Sequence, residues 1–226
     1  MKTIRTKAIV VRRTNYGEAD RIIQLITPQY GKLSAMARGV RKEKSKLAGG
    51  IELLARCDVT LATGRSGDLY TLTGARLETF YRNIMSDYDH LQFGYEAIKQ
   101  VSKAADALDE PAFFDLLDQT FQWLDNERIN LKVTKAWFWL QLAILLGVGM
   151  NLATDDNGMK LVEETHYDFD GTQGVFVFRE NGRFTSDHIK ILRLLSARAP
   201  GVAMQVGGLT DMIDDCLWVA EQAVAR

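Results

Sequence analysis

Apolar residues in the first eighty positions form short runs that are separated by turn-forming residues. The runs are rich in β-branched and small side chains, which is typical of strands, and they cover residues 6–13, 20–27, 31–38, 51–63 and 69–80. The fourth run alternates as a half-buried antiparallel strand does, and its apolar face holds Ile51, Leu53, Ala55, Cys57, Val59 and Leu61. A turn is predicted at residues 64–68, and Gly74 in the fifth run predicts a bulge or a barrel bend.

Beyond Phe80 the apolar period changes from two residues to between three and four, which predicts helices. The helical segments cover residues 91–105, 111–126, 130–146, 186–199 and 209–225, whereas residues 165–184 resemble one or two β-hairpins. Five short strands with signs of curvature favour an OB-fold, although an SH3-like barrel fits nearly as well. The predicted fold is α+β: a five-stranded OB-fold β-barrel in residues 1–80, then an α-helical domain in residues 81–226 with a small β-hairpin insertion.

The net charge of −1 hides a strong asymmetry along the chain. Residues 1–80 hold 15 Lys and Arg against 7 Asp and Glu, and residues 1–50 alone hold 12 against 3. Residues 81–226 hold 13 basic residues against 22 acidic ones. Such a division predicts an anionic partner for the N-terminal part, with nucleic acid or a membrane surface as the usual choices. The alternative is a solvated basic face without a partner.

Much of the positive charge lies in the segment 37–50, whose sequence is ARGVRKEKSKLAGG. The third predicted strand turns Lys32, Ser34, Met36 and Arg38 to one side, so a basic face leads directly into this segment. Because the loop 39–50 ends in two glycines and has no bulky apolar residue except Leu47, we expect it to be mobile and without an anchor in the core. Such a loop suits binding to the sugar-phosphate backbone, which supplies most of the sequence-independent affinity for nucleic acid.

Several other classes of function find little support in the sequence. Two cysteines, Cys57 and Cys216, can build neither a disulfide framework nor a four-thiolate zinc site, and both are predicted to lie in the core. The apolar runs are too short for a signal peptide or a bilayer span, so a cytoplasmic protein without membrane association is expected. No P-loop or nucleophile motif is present, and we predict no catalytic residue and no cofactor. His166, Asp168 and Asp170 could share one strand face and hold a metal, but a solvated face is the simpler interpretation.

Three tyrosines in the basic part could stack on bases. Tyr16 and Tyr30 lie in predicted turns, where stacking on bases and packing remain equally open. Tyr70 is predicted to pack in the barrel.

The stretch YGEADRIIQLITPQYGKLSAMARGVRKEKSKLAGGIELL resembles the N-terminal domain of the RecO family of bacterial recombination mediators. That family shows a Tyr-Gly-Glu-x-Asp-Arg strand start, then Gly-Lys and Ala-Arg-Gly-Val/Ala-Arg before a basic loop. The matching residues here are Tyr16, Gly17, Glu18, Asp20, Arg21, Gly31, Lys32, Ala37, Arg38, Gly39, Val40 and Arg41. The resemblance is close over some forty residues, and the order of elements fits the remaining length.

The resemblance implies a non-enzymatic role in recombinational DNA repair. Members of the family have an N-terminal OB-fold, bind single- and double-stranded DNA, and anneal complementary single strands. They work with RecR and single-stranded DNA-binding protein to help load the recombinase, so a cytoplasmic, nucleoid-associated protein is implied. Carried over residue by residue, the DNA-binding candidates are Arg21, Lys32, Arg38 and Arg41, to which the chemistry of the loop adds Lys42, Lys44 and Lys46. Gly17 and Asp20 are interpreted as structural residues of the turn.

The sequence departs from the family pattern in residues 151–184. Many members carry a four-cysteine zinc module at this place, whereas residues 151–184 here contain no cysteine. We therefore expect a degenerate equivalent of that module, without metal, that is held by the packing of its own hairpin. On the preceding helix, Trp137, Phe138 and Trp139 point in several directions, which predicts burial. A pocket there for the acidic tail of single-stranded DNA-binding protein, beside Lys132 or Lys135, is a weaker interpretation.

Two other functions remain open at this point. The same barrel could serve as an RNA-binding or protein-docking OB module. The acidic C-terminal part could belong to a metal-dependent nuclease.

Overall fold

A computed structural model of the chain describes residues 3–63 and 69–225. The chain divides into two compact units, Met1–Asp125 and Asn126–Arg226. The first unit holds five strands and two helices, namely β1 (Thr3–Tyr16), β2 (Asp20–Thr27), β3 (Gly31–Ala37), β4 (Ala55–Ala62), β5 (Tyr70–Phe80), α1 (Tyr88–Ala107) and α2 (Ala112–Leu124). The second unit holds α3 (Leu131–Leu145), β6 (His166–Asp170), β7 (Val175–Phe178), β8 (Phe184–Thr185), α4 (Ser186–Ala197), α5 (Pro200–Ala203) and α6 (Leu209–Val224).

The five N-terminal strands form a closed barrel in the order β1-β2-β3-β5-β4. All neighbouring pairs are antiparallel except β3 and β5, which pair in parallel through Ala35 and Met36 opposite Tyr70 and Thr71. The core is filled by the inward residues of all five strands, among them Ile23, Leu25, Ala35 and Leu61. The predicted five-stranded barrel followed by helices is therefore confirmed.

Irregular backbone shapes the barrel at two places. The register of β4 and β5 shifts after Thr60 pairs with Gly74, which confirms the bulge predicted at this glycine. The fourth strand begins at Ala55 and not at residue 51, because Leu54 has a positive φ of 56° that breaks the extended chain. From Ala55 onward the predicted alternation of buried residues holds. The turn predicted at residues 64–68 lies outside the described residues.

Helices α1 and α2 belong to the same compact unit as the barrel. A buried polar network contributes to the link, because Asp118 of α2 accepts hydrogen bonds from Arg56 Nη1 of β4 and from Tyr81 Oη, both at 2.6 Å. Burial, together with the hydrogen bond to Asp118, raises the pKa of Tyr81. The predicted division into domains at residues 80 and 81 does not coincide with the division between compact units, and it stays a prediction.

The second unit is built on the packing of α3 against α6, with α4 beside them. Strands β6, β7 and β8 form a small antiparallel sheet in the order β7-β6-β8. Trp137 and Phe138 of α3 are buried, as predicted, and therefore offer little surface to a partner peptide. Lys132 is paired with Asp214 at 2.6 Å.

Both cysteines lie in the core, as predicted. Burial raises the pKa of the Cys57 thiol and of the Cys216 thiol to about 12, so neither is a nucleophile at neutral pH. Of the helices within residues 3–63 and 69–225, none has both the length and the apolar character that a bilayer crossing requires.

Candidate nucleic-acid interface

The turn between β1 and β2 and the basic segment after β3 meet at one end of the barrel. Pairing of Tyr16 with Asp20, and of Arg21 with Ala37, places these connections side by side. The backbone N–H of Gly39 donates to Asp20 Oδ1 at 2.7 Å, and the N–H of Arg41 donates to the carbonyl oxygen of Ala19 at 2.9 Å. Asp20 therefore has the structural role that was predicted for it.

The loop 38–47, here called the basic loop, is anchored in the barrel, contrary to the expectation of a mobile loop without an anchor. Val40 is only 2% exposed and belongs to the barrel core, and Leu47 packs against the same core. Successive turns also order the backbone, since Lys42 N–H donates to Gly39 and Ser45 N–H donates to Lys42. The difference arises because Val40 lies in a strongly charged stretch, where no local pattern predicts that its side chain points inward.

Glycine permits the tight turns on both sides of this junction. Gly17 and Gly39 have φ values of 56° and 63°, in the left-handed region that side chains with a Cβ rarely adopt. Both belong to the sequence motif that resembles the RecO family. Their backbone requirement explains why the motif contains glycine at these two positions.

Four cations of the basic loop are exposed, and their side chains make no hydrogen bond or ion pair with any residue that the structure describes. They are Arg38, Lys42, Lys44 and Lys46. The acidic residue Glu43 is the one negative side chain among them and is itself exposed. Positive charge here is therefore free to attract an anion, which argues against a loop whose charges are neutralised within the protein.

Arg41 and Arg21 lie at the same end of the barrel but are partly engaged. Arg41 Nη1 donates to the carbonyl oxygen of Gly17 at 3.2 Å, although the side chain stays exposed. Arg21 Nε donates to Asn15 Oδ1 at 3.1 Å, and the residue is half-buried. Each guanidinium keeps further N–H donors, so both can support an anion that is held by the loop.

Lys32 differs from the other six predicted site residues. Its Nζ donates to Ser102 O at 2.9 Å, to Ser102 Oγ at 3.0 Å and to Asp106 Oδ1 at 2.7 Å. The side chain is 11% exposed. Because an ammonium has three N–H donors, all of them are used on α1. The structure brings Lys32 to the opposite end of β3 from the basic loop, where it links strand and helix.

The three tyrosines lie in different surroundings. Tyr16 ends β1 beside the basic loop and is exposed, so its ring is available for stacking. Tyr30 is also exposed, but it lies in the turn between β2 and β3 at the other end of the barrel. Tyr70 packs against the core, as predicted. Of the three, Tyr16 is the one that the structure brings to the basic loop.

Most cations on the β1–β4–β5 side of the barrel are paired. Lys7 and Arg56 contact Glu78 at 3.1 Å, and Arg76 contacts Asp58 at 2.6 Å. Arg5 is exposed between them. This face is thus largely neutralised by its own carboxylates, and the contrast makes the end of the barrel with the basic loop the stronger candidate for binding an anion.

The alternating acids of β6 serve the fold. His166 and Asp168 are exposed, and Asp168 Oδ1 accepts from the backbone N–H of Arg183 at 3.1 Å. Asp170 Oδ1 accepts from the N–H groups of Thr172 and Gln173. Among the described residues, no group of three or more His, Cys, Asp or Glu is arranged to hold a metal ion.

A closed five-stranded barrel with this strand order is an OB-fold, a class of domain in which the β2–β3 face and adjoining loops bind oligonucleotides. Residues 1–81 match the family described as Recombination protein O N terminal, and this part of the chain belongs to that family. The resemblance seen in the sequence motif is thereby confirmed.

Curated relatives extend the similarity beyond the barrel. A protein of Dehalococcoides mccartyi (strain CBDB1) described as DNA repair protein RecO is 40% identical over 123 residues, which cover 54% of this chain and 48% of the relative. The protein of the same description from strain ATCC BAA-2266 / KCTC 15142 / 195 is 38% identical over 168 residues, 72% of this chain and 64% of the relative. The one from Alkaliphilus metalliredigens (strain QYMF) is 29% identical over 152 residues. The matched part of the chain spans between about half and two thirds of the length of these relatives.

Proposed function

We propose that this chain is a DNA-binding protein of recombinational DNA repair that acts without making or breaking a covalent bond. In this proposal the end of the barrel with the basic loop holds the sugar-phosphate backbone of single- and double-stranded DNA. The names of the similar proteins support a role in DNA repair. The observation that carries the proposal is the group of four exposed cations whose side chains have no partner among the described residues, on a loop that is anchored beside β2 and β3.

Contact with the backbone suits the annealing of complementary strands. Cations that neutralise phosphates reduce the repulsion between two strands that meet on the protein surface. Side chains that bind phosphates leave the base edges free, because sequence is read at the edges and not at the backbone. A protein of this kind brings two strands together and lets their bases pair.

We also propose, from the family resemblance, that the chain works with RecR and with single-stranded DNA-binding protein to help load the recombinase. Annealing of strands that are coated by a binding protein requires displacement or rearrangement of that protein, which is consistent with such a partnership. The RNA-binding or protein-docking alternative is kept as an outcome of the experiments below.

The test compares three forms of the protein with a labelled oligothymidylate by fluorescence anisotropy at about 0.1 M salt. The loop variant carries Arg38→Ala, Lys42→Ala, Lys44→Ala and Lys46→Ala, and retains Arg41 because that side chain also bonds to Gly17. The control variant removes the same charge elsewhere, through Arg82→Ala, Arg128→Ala, Lys160→Ala and Arg198→Ala, all at exposed side chains. We expect the loop variant to bind roughly 100-fold or more weakly, since four phosphate contacts are lost, and the control to bind nearly as well as the wild type.

Annealing and substrate preference complete the test. Two complementary oligonucleotides should form a duplex faster with the wild-type protein, in the absence of ATP, and the loop variant should lose most of this acceleration. Equal annealing by both forms would reject the basic loop as the site. A strong preference for RNA in competition with single-stranded DNA would favour the RNA-binding alternative, and cleavage of labelled DNA in magnesium would favour a nuclease.

A further inference from the structure

A second group of cations lines a groove between the barrel and helix α1. The groove has a volume of about 430 Å³ and lies against β1, β2 and the start of β3. Arg12 and Gln24 line it on the barrel side, and Tyr95, Lys99 and Lys103 line it on the side of α1. All of these residues belong to the first compact unit, and none was among the site residues predicted from the sequence.

The cations of this groove are available to a ligand. Arg12 and Lys103 are exposed, and their side chains make no hydrogen bond or ion pair with the part of the chain that the structure describes. Lys99 is 75% exposed and lies 3.8 Å from Glu96, at the outer limit of an ion pair. Since exposed pairs of this kind contribute little energy, Lys99 can exchange its partner for a phosphate.

The two walls of the groove are held together by Lys32, whose side chain is 11% exposed. Lys32 joins β3 to α1 through its three hydrogen bonds to Ser102 and Asp106. Next to it, a Cβ at Gly31 would collide with the carboxylate of Asp109, so the chain after α1 also lies directly against the barrel. The groove is therefore formed before any ligand arrives, which reduces the entropy that binding costs.

An aromatic ring completes the groove. Tyr95 is 45% exposed and lies on the same wall as Lys99, one turn of helix away. Ile98 adds an apolar contact. A cationic groove with an accessible aromatic ring is the combination that binds single-stranded nucleic acid, because phosphates contact the cations and bases stack on the ring.

We propose that this groove binds single-stranded DNA as a continuation of the strand held at the basic loop. The inference rests on the proposed function and adds a second phosphate-binding site to it. Strand β3 runs from Lys32 at the groove to Ala37 beside the basic loop, a distance of about 17 Å. A stretch of a few nucleotides spans that distance, within the roughly 4–16 nucleotides that one OB-fold covers. The β2–β3 face lies between the two sites.

The test uses the full chain and a groove variant, Lys99→Gln with Lys103→Gln. Its matched control is Arg82→Gln with Arg128→Gln, which removes the same charge from exposed positions outside the groove. With an oligothymidylate of 20 nucleotides, we expect the salt slope of the groove variant to be shallower by about 1.4, as the loss of two phosphate contacts requires. Its affinity at 0.1 M salt should fall by roughly one order of magnitude.

Stacking on the ring is tested separately. Tyr95→Ala should weaken binding of the 20-nucleotide strand roughly tenfold. Tyr88→Ala is the control, because Tyr88 is 75% exposed on the same helix but does not line the groove. A strand with one 2-aminopurine should lose fluorescence on the wild-type protein, and less on Tyr95→Ala.

The inference is overturned if the groove variant binds the 20-nucleotide strand with wild-type affinity and slope while the loop variant binds weakly. In that case the proposed function stands without the second site. If the loop variant also binds like the wild type, the proposed function itself fails. Wild-type DNA binding by the groove variant, together with the loss of binding to a polyglutamate peptide, would assign the groove to an acidic protein segment.

Discussion

At the scale of single residues, equal charge does not mean equal role. Lys32 belongs to the motif that resembles the RecO family, and Lys42 belongs to the basic loop that follows it. Lys42 is exposed, whereas the side chain of Lys32 is 11% exposed and uses all three of its N–H donors. The difference depends on α1, whose Ser102 and Asp106 lie 70 and 74 residues further along the chain. No local pattern in the sequence reveals such a partner.

Lys32→Ala should destabilise the protein, whereas Lys42→Ala should not. The substitution removes three hydrogen bonds from a charged donor, at an expected cost of about 1–3 kcal/mol. Lys42→Ala, at an exposed side chain, should change the free energy of unfolding by less than about 0.5 kcal/mol. Urea unfolding measures both. Equal stability of the two variants would show that the Lys32 hydrogen bonds do not support the fold.

His188 should make the second unit sensitive to acid. Burial lowers the pKa of this imidazole and outweighs the opposing effect of Asp215, whose carboxylate lies 3.5 Å from Nε2. The neutral ring also accepts a hydrogen bond at Nδ1 from the Thr185 N–H, which protonation would abolish. Because the unfolded chain takes up the proton first, the free energy of unfolding should fall as the pH drops below about 6.5.

The measurement is urea unfolding between pH 5 and 7.5. His188→Gln should show a shallower dependence on pH, by at most about 1.4 kcal/mol per pH unit. His166→Gln, at an exposed position outside the core, is the control and should follow the wild type. A His188→Gln profile parallel to that of the wild type would contradict the assignment.

At the scale of elements, alternation and period predict strands and helices well, but not their partners. The five barrel strands, the bulge at Gly74 and the long helices follow from local patterns, since burial on one side imposes a period of two or of about 3.6. The parallel pairing of β3 with β5, which closes the barrel, joins residues more than thirty positions apart. Such closure is a property of the folded chain and leaves no local signature.

The basic loop shows the same limit of prediction from local sequence patterns. Its cations stand out in the sequence, whereas its anchor includes Val40, a single buried side chain within a charged stretch. The side chain of Val40 points inward because of the turn at Gly39 and the hydrogen bond from the Gly39 N–H to Asp20. Both features require the tertiary fold.

Val40→Ala should lower the free energy of unfolding by roughly 1–3 kcal/mol, because a buried side chain is truncated. Val202→Ala is a suitable control, since Val202 is exposed, and should change stability by less than about 0.5 kcal/mol. The salt slope of DNA binding should be unchanged in Val40→Ala, because the number of cations is the same. If Val40→Ala proves as stable as the wild type, the loop has no anchor there.

The cysteine-free segment 151–184 has two tight turns that are closed by aspartates. Asp155 Oδ1 accepts from the N–H groups of Asn157 and Met159 at 2.9 and 2.8 Å, and Asp170 Oδ1 accepts from Thr172 and Gln173 at 2.8 and 3.1 Å. A carboxylate thus orders the backbone of each turn. We interpret these hydrogen bonds as stabilising the segment at the place where the family resemblance implies a zinc module.

Asp155→Ala combined with Asp170→Ala should destabilise the protein by about 1–3 kcal/mol, whereas the corresponding Asn double variant, which keeps both acceptors, should recover most of that loss. Thermal unfolding of the wild type should be the same with and without EDTA. A fall in the melting temperature with EDTA would contradict the interpretation that this segment is stabilised by its own hydrogen bonds.

At the scale of the whole molecule, the distribution of charge connects sequence and function. Residues 1–50 carry 12 basic and 3 acidic residues, and the structure presents several of these cations at one end of an OB-fold without partners in the described chain. The β1–β4–β5 side carries its own carboxylates. The candidate site stands out in the sequence because its charges are clustered along the chain, whereas the cations of the groove on α1 come together only on folding.

The measurement that tests the central claim most directly is the affinity for a single-stranded oligonucleotide as a function of salt concentration. The log–log slope of the wild type should be steep and negative, and the slope of the loop variant, without Arg38, Lys42, Lys44 and Lys46, should be shallower by about 2.8. The control variant at Arg82, Arg128, Lys160 and Arg198 should retain the wild-type slope. Equal slopes for the wild type and the loop variant would show that these cations do not contact phosphates.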